Sequence, residues 1–68
     1  MPDITYDCIP CERPSDDEMR RLIPRRPIAE PLGWKAQIWC DDGGKPCYER
    51  QTHGNYTDRW FRLVPATG

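Results

Sequence analysis

The sequence predicts a small α+β domain that is held together by a metal ion. Three observations lead to this prediction: four cysteines in two pairs, a short amphipathic segment around residue 19, and alternating apolar residues beyond residue 33. A chain of 68 residues forms one domain at most, and its hydrophobic core is marginal unless a metal or a disulfide supports it. We divide this single domain, residues 1–68, into a cysteine knuckle at 8–11, a helix at 15–23, a proline-rich connector at 24–32 and a three-stranded antiparallel meander at 33–64.

The helix is predicted from a capping box and an apolar stripe. Ser15 can cap the first turn, and Glu18 three residues later completes the S-x-x-E pattern. Met19, Leu22 and Ile23 are spaced i, i+3, i+4, so they lie on one side of a helix. About two turns of helix are not stable alone, so we expect this stripe to dock on the sheet.

Prolines and alternating residues define the rest of the chain. The connector PRRPIAEPL contains three prolines and is expected to run extended. Three later segments alternate as strands do, and the turn compositions DDGGKP and HGN separate them. The segments are GWKAQIWC, CYERQT and YTDRWFRLV.

The two cysteine pairs predict one structural zinc ion. Cys8 and Cys11 are separated by two residues, the spacing that lets a tight turn present two thiolates to one tetrahedral ion. Cys40 and Cys47 flank a predicted hairpin turn, where paired strand residues lie about 4.5–5.5 Å apart at Cα. We therefore predict that these thiolates bind one Zn²⁺, with His53 as a substitute ligand.

In the spacing of its four cysteines the chain resembles zinc-ribbon and rubredoxin-like domains. Those domains usually carry a glycine after the second cysteine of each pair, whereas this chain has Glu12 and Tyr48 there. Two alternatives stay open. One is a domain stapled by disulfides, in which Cys40 and Cys47 can bridge directly. The other is a redox dithiol, which needs a helix N-terminus that the first pair lacks.

Catalytic groups are scarce, so we predict that the protein is not an enzyme. There is one histidine, and the chain has no G-x-S-x-G, phosphate-loop or H-E-x-x-H motif. A four-cysteine zinc site is also closed and leaves no position for water or substrate. The sequence therefore predicts a zinc-binding interaction module, which acts as an adaptor, regulator or inhibitor by occupying the surface of another protein.

The predicted partner-binding surface is one face of the meander. If the second cysteine pair lies opposite across the hairpin, Trp39 faces Tyr48, and alternation puts Trp34 on the other side of the sheet. We expect the helix to cover the Trp34 side. Trp39 and Tyr48 are then exposed, with Lys35 and Arg50 as a polar rim, which is how binding hot spots are composed.

The alternative function is a nucleic-acid-binding zinc module. Its contact surface is an arginine cluster, Arg20, Arg21, Arg25 and Arg26, which Arg59, Trp60 and Arg62 extend. Arginine and aromatic side chains together suit phosphate contact and base stacking. The net charge of −1 and the acidic residues at 16–18 weaken this alternative.

No targeting or membrane segment is evident. Residues 1–8 have neither a basic nor an apolar leader region, and no apolar stretch approaches the about 18 residues of a membrane span. We expect a soluble, cytoplasmic protein that does not bind membranes.

Overall fold

In the structure, one antiparallel sheet of six strands runs through nearly the whole chain, and its first strand pairs with its last. The structure is a computed structural model that describes residues 5–66, so residues 1–4, on which the leader prediction partly rests, lie outside it. The strands are β1 Tyr6–Cys11, β2 Ile23–Pro24, β3 Ile28–Ala29, β4 Trp34–Cys40, β5 Pro46–His53 and β6 Thr57–Pro65. A helix, α1 (Asp16–Arg21), follows β1, and a 3-10 turn (Pro31–Gly33) precedes β4. The strand order is β1-β6-β5-β4-β2, and β3 also pairs with β4.

The predicted metal-stapled α+β fold is wrong. Most of the described chain is antiparallel sheet, and the meander β4–β5–β6 is only its middle. The six residues of α1 do not form a second layer, and none of them is buried. The described residues therefore form one antiparallel sheet with one short helix beside it.

The predicted cysteine knuckle is the edge strand β1. Tyr6 lies opposite Pro65, Cys8 opposite Leu63 and Cys11 opposite Trp60. Residues 6–11 extend because β6 offers them a complete ladder of backbone partners. The C-x-x-C spacing therefore lies on an extended strand instead of a tight turn.

Helix α1 is shorter than the predicted 15–23. Ser15 caps it as the sequence predicts, because its hydroxyl accepts a hydrogen bond of 3.2 Å from the Glu18 N–H. The chain leaves the helix at Leu22, whose backbone is extended. Ile23 stands immediately before Pro24, and a residue before proline avoids the helical region, so it pairs with Cys40 as part of β2.

The proline-rich connector is bound along the outer edge of β4. The Arg25 N–H donates to the Ile38 carbonyl at 2.8 Å, and the Glu30 N–H donates to the Trp34 carbonyl at 2.7 Å. The Gln37 side-chain amide donates to the Arg25 carbonyl at 3.0 Å. Since proline has no N–H, the connector covers β4 while offering few donors for another strand.

The β4–β5 hairpin has the predicted aromatic register but not the predicted cysteine pair. Trp39 lies opposite Tyr48, whereas Cys40 lies opposite Pro46 because a bulge shifts the register. The turn is shaped by Asp41, whose carboxylate accepts from the N–H groups of Gly43 and Lys45 at 2.9 and 2.8 Å. This is the local bonding that makes aspartate a turn former.

The two faces of the sheet differ in what covers them. Cross-strand partners share a face, so Trp39, Tyr48, Arg50 and Trp60 form what we call the helix face. The Tyr48 hydroxyl on this face donates to the Glu18 carboxylate of α1 at 2.7 Å. The residues on the other side, which include Trp34, Ala36, Gln51 and Arg59, form what we call the open face.

Trp60 is the centre of packing on the helix face. It is 5% exposed, with ring centroids 5.9 Å from Trp39 and 6.4 Å from Tyr48. The Arg50 guanidinium lies 5.6 Å from the Trp60 ring centroid, within the range of a cation–π contact. Strands β4, β5 and β6 are therefore joined through one indole ring.

None of the helices in residues 5–66 is long and apolar enough to cross a membrane.

We expect Trp60→Ala to lower the free energy of unfolding by about 3–5 kcal/mol, the usual result of truncating a buried aromatic residue. Such a loss is comparable with the whole stability of a small domain. Urea unfolding followed by circular dichroism measures it. Tyr56→Ala is the matched control, because Tyr56 is 97% exposed and a surface change of this kind stays within about 0.5 kcal/mol. Equal losses in the two variants would contradict the central role of Trp60.

Candidate interaction surface

The structure does not bring the four predicted zinc ligands together. Cys8 and Cys11 are three positions apart on a strand, so they point to opposite faces. His53 lies six residues along β5 from Cys47, a span of about 20 Å, so the structure does not place it beside that thiol. In the described residues no group of three or more His, Cys, Asp or Glu side chains is placed to hold a metal ion. Zinc binding itself stays a prediction from the sequence.

Three of the thiols, those of Cys8, Cys11 and Cys47, have a raised pKa. Burial raises the pKa of Cys8, and the nearby Glu49 and Asp7 carboxylates raise it further. Burial also raises the pKa of Cys11, with Arg62 acting in the opposite direction. Burial and the Asp41 carboxylate raise the pKa of Cys47. Because the thiolate is the reactive form, these directions disfavour a redox dithiol. The four cysteines are free thiols in the structure, and the disulfide-stapled domain and the redox dithiol stay predictions.

We expect the thiols to differ sharply in accessibility. Iodoacetamide should modify Cys8 and Cys11, which are exposed, and leave Cys40, which is buried at 3% exposure, unmodified until the protein unfolds. Reaction should quicken with rising pH, because the raised pKa values keep the thiols protonated at neutral pH. Mass spectrometry of labelled peptides, with and without urea, reads the result. Rapid native labelling of Cys40 would show that the hairpin is packed differently.

One residue of the predicted partner surface contacts the helix, which we expected on the Trp34 side. Tyr48 is half-buried and bonded to Glu18 of α1, and half-buried Trp39 packs on Trp60. Arg50 donates to the Asp58 carboxylate at 2.7 and 3.1 Å. The sequence pattern shows which residues share a face. The hydrogen bond from the Tyr48 hydroxyl to the Glu18 carboxylate shows which face the helix contacts. Lys35 is exposed, and partner binding by Trp39, Tyr48, Lys35 and Arg50 stays a prediction.

We expect the Tyr48–Glu18 contact to make stability depend on alkaline pH. The Glu18 carboxylate accepts a hydrogen bond from the Tyr48 hydroxyl. This bond raises the pKa of Tyr48 from 10.0 to about 12, and burial adds to the shift. A group whose pKa is raised on folding stabilises the protein below its unfolded pKa, and this contribution is lost as the pH rises through the folded pKa. The contribution of Tyr48 should therefore fall between about pH 10 and about pH 12.

Urea unfolding of the parent and Tyr48→Phe proteins across this range isolates the effect, since their other titrating groups are the same. The difference in stability between the two should shrink as the pH rises. A constant difference would show that the phenol proton is not held by Glu18.

The open face contains a second aromatic cluster, which lies around Trp34. The His53 ring centroid is 5.0 Å from that of Trp34, and the Arg59 guanidinium is 5.3 Å from the Trp34 centroid. His53 Nε2 is also hydrogen-bonded to the Leu32 carbonyl at 2.9 Å. His53 and Arg59 pack on the Trp34 ring. Trp34 is only half-buried, so part of its surface is accessible to another molecule.

A groove of about 370 Å³ runs past Trp34 on this face. Its apolar part comes from Trp34, Ala36 and Pro31, and charged groups of both signs surround that part. The groove, which we call the Trp34 groove, is lined by Glu30, Pro31, Trp34, Lys35, Ala36, Glu49, Gln51 and Arg59. Two acids and two bases give it nearly balanced charge.

Leu32 stands beside the groove in an unfavourable backbone conformation. Its φ and ψ are 63° and 28°, in the left-handed region, which costs about 1–2 kcal/mol for a residue with a Cβ. Its side chain is 89% exposed, so no burial within the chain offsets that cost. Ile28, which lies opposite Ala36 in the sheet, is 61% exposed. Leu32 was not predicted as a functional residue, although the Pro-Leu-Gly run is a turn signal.

The arginine cluster is exposed but partly neutralised. Arg20 is paired with Asp17 at 3.1 Å, and Arg25 donates to the Gly44 carbonyl at 3.3 Å. Arg21 and Arg26 are exposed, and within residues 5–66 neither has a carboxylate partner within 4.0 Å. Arg59 stacks on Trp34 on the open face, away from α1. Nucleic-acid binding by this cluster stays a prediction.

Comparison with known proteins gives no relative: no family model, curated protein or solved structure matches the chain.

Proposed function

We propose that this chain is a non-enzymatic binding module that occupies the surface of another protein through the Trp34 groove and the adjoining Leu32 side chain. The observation that carries the proposal is Leu32, an 89% exposed apolar side chain on a left-handed backbone. Residues with a strained backbone are concentrated at functional sites, and the strain at Leu32 is not offset by burial of its side chain.

The composition of the groove indicates the kind of partner. Trp34 supplies a rigid aromatic surface, and aromatic residues are enriched at the centres of protein interfaces. The partner that fits the Trp34 groove is a protein segment with an apolar side chain at its centre and charges of both signs around that side chain. Glu30 and Glu49 can meet basic groups, while Lys35 and Arg59 can meet acidic ones.

The balance of charge in the groove favours a protein over a nucleic acid. A phosphate backbone selects for a surface rich in Lys and Arg, whereas this groove holds as many acids as bases.

We place the protein in the cytoplasm, where it acts on a larger protein as an adaptor, regulator or inhibitor.

A Leu32→Gly variant separates binding from stability. Glycine adopts positive φ without strain, so we expect the free energy of unfolding to stay equal or rise by up to about 1 kcal/mol. Partner binding should weaken by about tenfold or more if Leu32 is an anchor. A functional residue is identified when binding falls while stability does not.

The experiment begins with cross-linking in source cells and continues with each purified candidate partner in calorimetric titrations. Leu32→Gly and Trp34→Ala should both weaken binding, and Tyr56→Ala, a change at an exposed aromatic residue outside the groove, should not. Full affinity in both groove variants would overturn the proposal. Binding that survives in these variants, falls steeply with salt and is lost in an Arg21→Ala, Arg26→Ala double variant would favour nucleic-acid binding instead.

A further inference from the structure

The edge of β1 is a surface distinct from the Trp34 groove. Within residues 5–66, β1 pairs only with β6 and stands at the end of the strand order, and every residue after Tyr6 in the strand is exposed. The other end of the sheet is less suited to pairing, because the connector is bonded along β4 and contains three prolines between residues 24 and 31. In the part of the sheet that the structure describes, β1 is therefore the edge best suited to pair with a further strand.

The register identifies which backbone groups of β1 face outward. The Ala66 N–H donates to the Thr5 carbonyl at 2.9 Å, and in an antiparallel ladder such bonded pairs alternate with unbonded ones. Asp7 and Ile9 therefore bond to β6, whereas Tyr6, Cys8 and Pro10 direct their backbone groups away from it. The position of Pro10 agrees, since a residue without an N–H fits only at an unbonded position.

We propose that two copies of this chain pair antiparallel through their β1 edges, with Cys8 opposite Cys8 on the two-fold axis. In this register each Cys8 N–H meets the Cys8 carbonyl of the second copy. Each Tyr6 N–H likewise meets the Pro10 carbonyl of the second copy. All four outward N–H groups of the strand pair thus find acceptors, and the missing donor of Pro10 leaves only the two Tyr6 carbonyls without a partner.

Charge selects this register over the neighbouring one. A pairing centred on Asp7 also forms four hydrogen bonds, between Tyr6 and Cys8 of the two copies, but it sets the two Asp7 carboxylates directly opposite. Like charges at opposed positions destabilise a strand pair. Centring on Cys8 sets Asp7 opposite Ile9 and Tyr6 opposite Pro10, so no like charges meet.

The pairing is closed. A two-fold interface uses the same edge of both copies. The sheet edge that each copy leaves outside the dimer is its connector, where prolines limit further pairing. The product is a dimer with one continuous sheet, and growth into a fibre is not expected.

Three variants test the edge. Analytical ultracentrifugation from micromolar concentrations to about 1 mM, under reducing conditions, should show a reversible monomer–dimer equilibrium. Cys8→Pro should weaken it about 30-fold, since two hydrogen bonds are lost per dimer, while the bonds of β1 to β6 remain. Cys8→Ser, the matched control, keeps the N–H and should dimerise as the parent does. Pro10→Ala adds a donor toward each free Tyr6 carbonyl and should strengthen dimerisation.

Cross-linking tests the register in a Cys11→Ser background, where the tryptic peptide that ends at Arg20 contains only Cys8, because trypsin does not cleave between Arg13 and Pro14. Oxidised glutathione should convert two Cys8 thiols into one intermolecular disulfide, with the two protons and two electrons passing to the oxidant, which leaves as two glutathione thiols. Paired residues are about 5.5 Å apart at Cα, within the range for a disulfide.

Mass spectrometry should find the homodimer of this peptide as the main cross-linked product. A protein that stays monomeric throughout would overturn the proposal, as would a dimer that Cys8→Pro and Pro10→Ala leave unchanged. A cross-link mainly through Cys47 would also contradict it. Circular dichroism shows whether Cys8→Pro is folded, and if it is not, Pro10→Ala decides alone.

Discussion

Packing around the Trp60 indole is the interaction on which the rest of the structure depends. The ring lies between Trp39 of β4 and Tyr48 of β5, and through Tyr48 it is linked to α1. Within the described residues the indole N–H groups of Trp39 and Trp60 are buried without an acceptor, at a cost of about 1–3 kcal/mol each. Burying about 150–250 Å² of an aromatic side chain contributes about 4–6 kcal/mol. The apolar term is the larger of the two, so the cluster forms despite its unsatisfied donors.

The small core leaves most of the described side chains at the surface. Among the described hydrophobic residues only Cys40, Trp60 and Leu63 are buried, so the sheet has little interior in which a substrate could be enclosed. What the fold offers instead is one broad face, one free strand edge and a strained turn at Leu32. Each of these is a surface that another chain can contact.

The sequence predicted features that depend on neighbouring residues and missed those that depend on distant ones. The Ser15 cap and the Trp39–Tyr48 pair follow from local spacing, and both are present. The strand β1 was missed because its partner is β6, far along the chain, and because C-x-x-C suggested a tight turn. Alternation could not predict which face α1 contacts, because that contact depends on one hydrogen bond from Tyr48 to Glu18. The left-handed Leu32 leaves no periodic signal in the sequence.

The pairing of the first strand with the last has a consequence for how quickly the chain can fold. Residues of β1 find their partners only in β6, so closing this pair brings together segments separated by most of the described chain. Such contacts slow folding, because the entropy of closing a long loop is lost before the contact forms. During synthesis β1 must remain unpaired until β6 has been made, and its exposed backbone groups are then open to other strands. The proline within β1 limits such mispairing during that interval, as it limits pairing at the finished edge.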